Sequence, residues 1–392
     1  MVLSFENEFR LSTAALRFNG IHPYSCRDKK WLFQFIFFNS VCLIVVYFFA
    51  HSIVYYDINN CKYAEAIQNG SFVIVSLSIP YYNYLAIHYQ RHFKKYFDIV
   101  DDNLSAIEQY RKEERQLILK YTKKASDVCK YWFYSVTIAT SSFILRAMYL
   151  MILSYIQREF KYAQMFAITY PKCIENHRDN FYVFLCLFSL SFIFAIYATI
   201  VYIGFDPLIS IFVLQICGQL EILSHQLLAL NEVTDSNEII QSLKTINIKL
   251  QCLYSFIDSL KSNFMILFEY QIKVAIFLVP FALFQIFQSL YRLEVNTEFI
   301  AFLFSCTIRL FLSCYNGNLL SLVGVKLRES IYCCGWEKQS NIKIRKTVLL
   351  MMTRCNNPPS IRSVFYPVNL ETFSEACRQS YAIFNIMNAA WS

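Results

Sequence analysis

Long apolar runs set off by short charged segments dominate this chain. The runs fall at residues 31–56, 66–88, 131–157, 180–205, 264–290, 299–325 and 369–391. Each reaches the roughly 20 residues that a helix needs to cross the hydrocarbon of a bilayer. Charge intrudes at Arg146 in the third run, at Glu269 and Lys273 at the start of the fifth, and at Arg309 in the sixth. Apolar patterning also continues outside these runs. "DPLISIFVLQICGQLEILSHQLLAL" carries it beyond Asp206, and "EIIQSLKTINIKLQCLYSFIDSLKSNF" repeats Ile and Leu at helical spacing before the fifth run. "SNIKIRKTVLLMMTRC" offers a third such helix, and "NNPPSIRSVFYP" then breaks the chain, because paired prolines cannot continue a helix. These outlying helices are too apolar to stand alone in water and are expected to pack together.

The predicted fold is an all-α polytopic membrane protein with seven transmembrane helices. Lysine and arginine give its orientation. One set of loops, including the N-terminal segment, carries 26 of these residues and the other carries 6. The positive-inside rule then predicts a cytosolic N-terminus and an extracellular C-terminus. Seven-helix receptors coupled to G proteins need the opposite orientation. The organisation reads as a cytosolic N-terminal segment (1–30), spans one to four (31–205), a cytosolic helical extension (206–262), spans five and six (263–325), a further cytosolic helix and break (326–366), and span seven (367–392). Residues 1–30 are polar and mixed in charge, so the first run is expected to remain in the mature protein rather than act as a cleaved signal.

Composition agrees. Hydrophobic residues make up 56% and charged residues 16%, against about 25% charged in ordinary globular chains. Aromatics reach 18%, more than a soluble domain readily hides. The net charge of +8 therefore reads as topology. No basic run interleaves with stacking aromatics, so nucleic acid is not an expected partner. No catalytic motif of the GxSxG, HExxH, P-loop or GxGxxG kind is present, the six histidines are dispersed, and no CxxC pair exists among the 14 cysteines. The expectation is no enzyme, no catalytic residue, no metal site and no cofactor. Cys61 and Cys173 fall in outer loops and could pair in an oxidising compartment. Asn69 opens a glycosylation sequon that lies too near the second span for easy transfer. Glu269 and Lys273, four apart, could pair on one helix face or simply be solvated. Arg309 could reach a partner across the bundle or snorkel.

One ordered string of residues is more specific. Gly317-Asn318, Tyr332 and Trp336 are followed by Arg345-Lys346, the "LLMM-R" run, Pro359, "NLETF" at 369–373 and Ser380-Tyr381 with Phe384. The string resembles the C-terminal signature of the insect odorant receptor family, and "FDPLISIF…QICGQLEILSHQL" resembles that family's long fourth helix. From about residue 180 the resemblance is clear; before it, only the layout of spans agrees. It implies a ligand-gated, non-selective cation channel subunit that binds a volatile odorant and works in a heterotetramer with a shared co-receptor subunit. It also implies helices four to seven extended into a cytosolic anchor, a pore-lining seventh helix, and a plasma-membrane location in sensory neuron dendrites. The chain lacks the co-receptor's expanded loop and so resembles a tuning subunit. The implied partners are the co-receptor, a volatile small molecule, membrane lipid and permeating cations. A gustatory-type receptor channel gating as a homotetramer, or a membrane transporter, remains an alternative.

The resemblance also directs attention to particular residues. Projected at 100° per residue, Cys377, Ser380, Tyr381, Phe384 and Asn388 share one face of the seventh helix. That face is expected to line the pore, with Phe384 as constriction and Ser380 and Asn388 as polar lining. Cys377 could equally be a small packing residue, and Asn385, about 80° off the face, is the better candidate for bonding a neighbouring helix. The family pattern places the ligand between the outer halves of spans two, three, four and six. The candidates there are Ile67, Ser71, Phe72 and Val75; Ser142, Leu145, Arg146 and Tyr149; Phe184, Phe188 and Phe192; and Phe302 and Cys306. Arg146 or Tyr149 could supply a polar anchor. Each of these residues alone could be ordinary bundle packing.

Overall fold

A computed structural model describes residues 3–158, 161–293 and 295–391, nearly all of them helical. Two short helices, α1 (Phe5–Glu8) and α2 (Arg10–Phe18), precede α3 (Lys29–Ser52), which ends in a π-helical turn at Ile53–Asp57. Then follow α4 (Tyr63–His88), α5 (Gln90–Ser105), α6 (Lys112–Ile156), the single turn α7 (Lys172–Glu175), and α8 (Phe181–Ala229). The chain closes with α9 (Ser236–Tyr291), α10 (Thr297–Tyr332), α11 (Ile342–Arg354) and α12 (Leu370–Trp391). The β-pairing among the described residues is an isolated bridge between Arg362 and Pro367.

Among the described residues, six helices, α3, α4, α6, α8, α9 and α10, are long and apolar enough to cross a membrane. The seventh, α12, has 22 residues, about 33 Å at 1.5 Å per residue, but carries Glu371, Glu375 and Arg378. Helices α6, α8 and α9 run for 45, 49 and 56 residues. A helix that long is more than twice the thickness of a bilayer's hydrocarbon, roughly 30 Å. They therefore project beyond the membrane, and the direction set by the charged loops makes that projection cytosolic.

Helix α8 is the spine. Its outer part buries one stripe, whereas from Val201 to Ser224 every residue except the half-buried Asp206 is buried. A helix apolar on all sides must be surrounded by others, and α2, α6, α9 and α10 surround it. Polar links tie the cytosolic part together. The Tyr121 hydroxyl of α6 donates to Glu221 of α8 at 2.7 Å, and the Lys326 ammonium of α10 reaches the same carboxylate at 3.0 Å. Burial pushes the Glu221 carboxyl up, but the Tyr121 hydroxyl and the Lys326 ammonium outweigh it and hold the group below the usual carboxylate range.

Two features depart from the expected layout. The N-terminal segment is not merely a polar tail: α2 lays Ser12, Ala15 and Leu16 into the bundle, and Phe5 stacks its ring 4.1 Å from Phe97 of α5. Gly204 permits this, because a Cβ there would lie 3.2 Å from the Leu16 backbone nitrogen. Gly317, the first residue of that ordered string, lies inside α10. A Cβ at Gly317 would meet the Val368 carbonyl oxygen at 2.1 Å, and one at Gly324 would meet Pro359 at 2.2 Å. These two glycines let the proline-rich break before α12 lie flat against α10.

Candidate functional site

The middle of the membrane part of the bundle holds a cavity of about 110 Å³. Its walls come from Phe72 and Val75 on α4, from Trp132, Val136, Ala139, Thr140 and Phe143 on α6, and from Phe194, Ala195, Ala198, Thr199 and Tyr202 on α8. Leu278 of α9 closes one side, and Phe302, Ser305, Cys306 and Arg309 of α10 close another. Phe166, from the loop between α6 and α7, completes the lining. Small residues on facing helices, Ala139, Ala195 and Ala198, make the space. Rings frame it: Phe72 lies 4.6 Å from Phe166 and 5.3 Å from Phe143, edge-on to the latter.

Most polar groups in the walls bond one another. The Thr140 and Thr199 hydroxyls meet at 2.6 Å, and Ser305 meets Ser135 at 2.7 Å. The Tyr202 hydroxyl donates to the Val75 carbonyl, and the Trp132 indole donates to the Tyr202 carbonyl. Arg309 sits at the inner end, its Nε 3.2 Å from Asp206 of α8. Its guanidinium lies 5.2 Å from the centre of the Tyr202 ring and 5.7 Å from that of Tyr82, a cation–π arrangement. The buried arginine is thus held by a carboxylate across the bundle rather than snorkelling to an interface.

On α12, Thr372, Ala376, Ser380, Phe384 and Met387 are buried. The Ser380 hydroxyl donates to the Ile276 carbonyl of α9 at 3.3 Å, and the Phe384 ring lies 4.9 Å from that of Phe287. Cys377, Arg378, Tyr381, Ala382 and Asn385 are exposed, and Asn388 is half-buried.

These features have counterparts among known proteins. Residues 62–381 match the family described as the 7tm odorant receptor family. The chain belongs to the odorant receptor family. Among Drosophila melanogaster proteins, the receptor is 30% identical to Odorant receptor 67c over 141 residues, covering 36% of this chain and 32% of that one. It is 28% identical to Odorant receptor 2a over 89 residues, covering 22% of each. The receptor thus matches about a third of the length of the first relative and less of the second. Its fold superposes on the insect olfactory receptor OR5 of Machilis hrabei in complex with eugenol, with a TM-score of 0.76, 14% identity and 98% of both chains covered. Against the same olfactory receptor without that description of a ligand, the TM-score is 0.75 at 14% identity, covering 97% of both. The family is one of receptors rather than enzymes.

The structure distributes the candidate residues unevenly. Phe72, Val75, Phe302 and Cys306 line the cavity together. Ile67 instead packs with Phe284, Phe384 and Met387, and Ser71 bonds its own helix at the Ile67 carbonyl. On α6 the cavity face runs through Val136, Ala139, Thr140 and Phe143. Leu145 and Tyr149 are exposed, and Ser142 bonds the Ala139 carbonyl. Arg146 is engaged in an ion pair with Glu298 of α10. On α8 the face lies deeper than Phe184, Phe188 and Phe192: Phe184 stacks on Tyr162 at 4.6 Å and Phe192 is exposed. Spacing gives a helix's period but not its phase, and a shift of one residue turns a side chain by 100°. Phe166 had no signal, since it comes from a loop. Cys61 and Cys173 are both free thiols. Asn69 is buried, its amide 2.8 Å from the Asp57 carboxylate, so the sequon is not open to modification. Glu269 and Lys273 do meet, at 3.7 Å.

Proposed function

We propose that the receptor is a tuning subunit of an odorant-gated, non-selective cation channel, working with a shared co-receptor in a heterotetramer at the plasma membrane of sensory neurons. The observation that carries this reading is the aromatic cavity inside a chain of the odorant receptor family. Ligand cavities are mostly apolar, with few polar groups. At about 110 Å³ the space is somewhat smaller than the roughly 150 Å³ that holds benzene, so a volatile molecule enters it by turning aside side chains of the walls. The volatile eugenol named with the Machilis hrabei receptor is of the same kind.

The ion path in this reading runs along α12. Its exposed arc carries Cys377, Tyr381 and Asn385, with Asn388 at the margin. Oxygen-bearing side chains on such an arc replace part of a cation's lost hydration. Ser380 and Phe384 then act from behind, tying α12 to α9, so that movement of α9 shifts the lining. Recording odour-evoked current from cells expressing the chain with and without the co-receptor tests the reading. An inward current that needs both subunits is expected. Second-messenger signalling with no current, or substrate uptake, would overturn it.

A further inference from the structure

We infer that Arg309 is the polar anchor of this cavity, and that it selects neutral, largely apolar molecules carrying a hydrogen-bond acceptor, such as ketones, aldehydes and esters. The inference rests on reading the cavity as the ligand site. It follows from a count of donors and acceptors in the walls. The hydroxyls of Thr140, Thr199 and Ser305 are spent on one another or on Ser135, and Tyr202 is spent on the Val75 carbonyl. Arg309 differs. A guanidinium has five N–H donors; Asp206 accepts one from Nη2 at 3.4 Å and lies 3.2 Å from Nε as an ion pair, with no hydrogen bond at Nε. The remaining N–H groups have no acceptor among the described residues, and the side chain borders the cavity. The site therefore offers charged donors, while the acceptors in its walls are hydroxyl oxygens whose protons are already committed.

The balance of charge narrows the class further. Asp206 already neutralises Arg309, so no net charge draws an anion into an apolar chamber. A carboxylate entering would shed its hydration and compete with Asp206 for the same guanidinium. A protonated amine would meet a cation at the floor and find only neutral hydroxyl oxygens to accept from it. A neutral carbonyl pays little on leaving water and gains a bond to a charged donor, among the stronger hydrogen bonds. An alcohol accepts equally well, and its own O–H must turn to a wall hydroxyl that is already bonded. Arg309 also reaches α8 through Asp206, and Gln271 of α9 approaches that carboxylate at 3.5 Å. A ligand on Arg309 thus bears directly on the contact where α8, α9 and α10 meet.

Matched probe pairs test this on the full-length receptor in lipid nanodiscs, by calorimetric titration. Acetophenone and isopropylbenzene share a shape and differ in a carbonyl oxygen for a methyl; 2-heptanone and 2-methylheptane differ in the same way. The expected result is that each ketone binds about 10- to 100-fold tighter than its hydrocarbon, as for a bond to a charged donor. The paired change Arg309→Met with Asp206→Asn, which leaves no unpaired charge, is expected to bring each pair within about threefold by weakening only the ketone. A merely structural arginine would weaken both members alike. If the double variant does not fold, Arg309→Lys keeps the charge but cannot span Asp206 and a ligand at once, and the preference should again fall below about threefold. Equal affinity within pairs in the wild type, a preference that survives either variant, or no binding of any probe would overturn the inference. Ketone preference without ligand-evoked current sinks the channel reading alone; current without that preference sinks this inference alone.

Discussion

The two halves of α8 treat space in opposite ways. Below Asp206 the helix is buried on every side, with Leu220 and Phe212 fully enclosed. Above it, Ala195 and Ala198 on α8 and Ala139 on α6 border a gap left unfilled. One half holds the fold together and the other holds room for something else. A substitution should therefore read differently in each, and size is the variable that separates them.

The largest expected effect is in the packed half. Leu220→Ala deletes a fully buried side chain, and such changes cost about 2–5 kcal/mol. Thermal unfolding of the detergent-solubilised receptor should show a clearly lowered midpoint. The mirror change above, Ala198→Leu, fills the gap instead. Its unfolding midpoint should stay close to that of the wild type, while ligand potency falls at least about tenfold, since added methylenes occupy the ligand's space. Equal losses of stability from both variants would dissolve the contrast.

A smaller effect tests the charged link in the packed half. The carboxyl of Glu221 is held below its ordinary value by Tyr121 and Lys326, burial notwithstanding. A lowered acid contributes stability above its unfolded pKa and loses it as pH falls through the folded one. Stability measured from pH 7 downward should drop through the lower carboxylate range, and Glu221→Gln should flatten that part of the profile. An unchanged profile would remove the link from the account. The smallest effect concerns α12. Asn385→Asp adds a negative charge to its exposed arc and should raise cation conductance modestly, by less than about threefold as for a screened exposed charge. The same change is expected to leave ligand potency alone; single-channel recording distinguishes the two.

Much of the fold was legible in the chain, because apolar runs of membrane length leave little choice. The lengthened α8 and α9 were visible too, since Leu and Ile at helical spacing continue past Asp206 and precede Phe264. Helices α2 and α5 were not expected, although Phe93, Tyr96, Phe97, Val100 and Leu104 repeat at helical spacing; their charged faces mask them among loop residues. Around the cavity, Phe72, Val75, Phe302 and Cys306 lie on the faces of α4 and α10 that line it. On α6 and α8 the chosen faces differed in phase or depth, because nothing local to a transmembrane helix says which side meets its neighbours. Arg309 and Asp206 are 103 residues apart, and only the fold brings them together.

The central claim is that the gap beside Ala198 is where an odorant acts. The most direct measurement is the dose–response of odour-evoked current for Ala198→Leu beside wild type, each expressed with the co-receptor and normalised to surface protein. The account predicts normal surface levels with the response lost or shifted at least about tenfold to higher concentration. A variant that reaches the surface and responds at wild-type concentrations would contradict it.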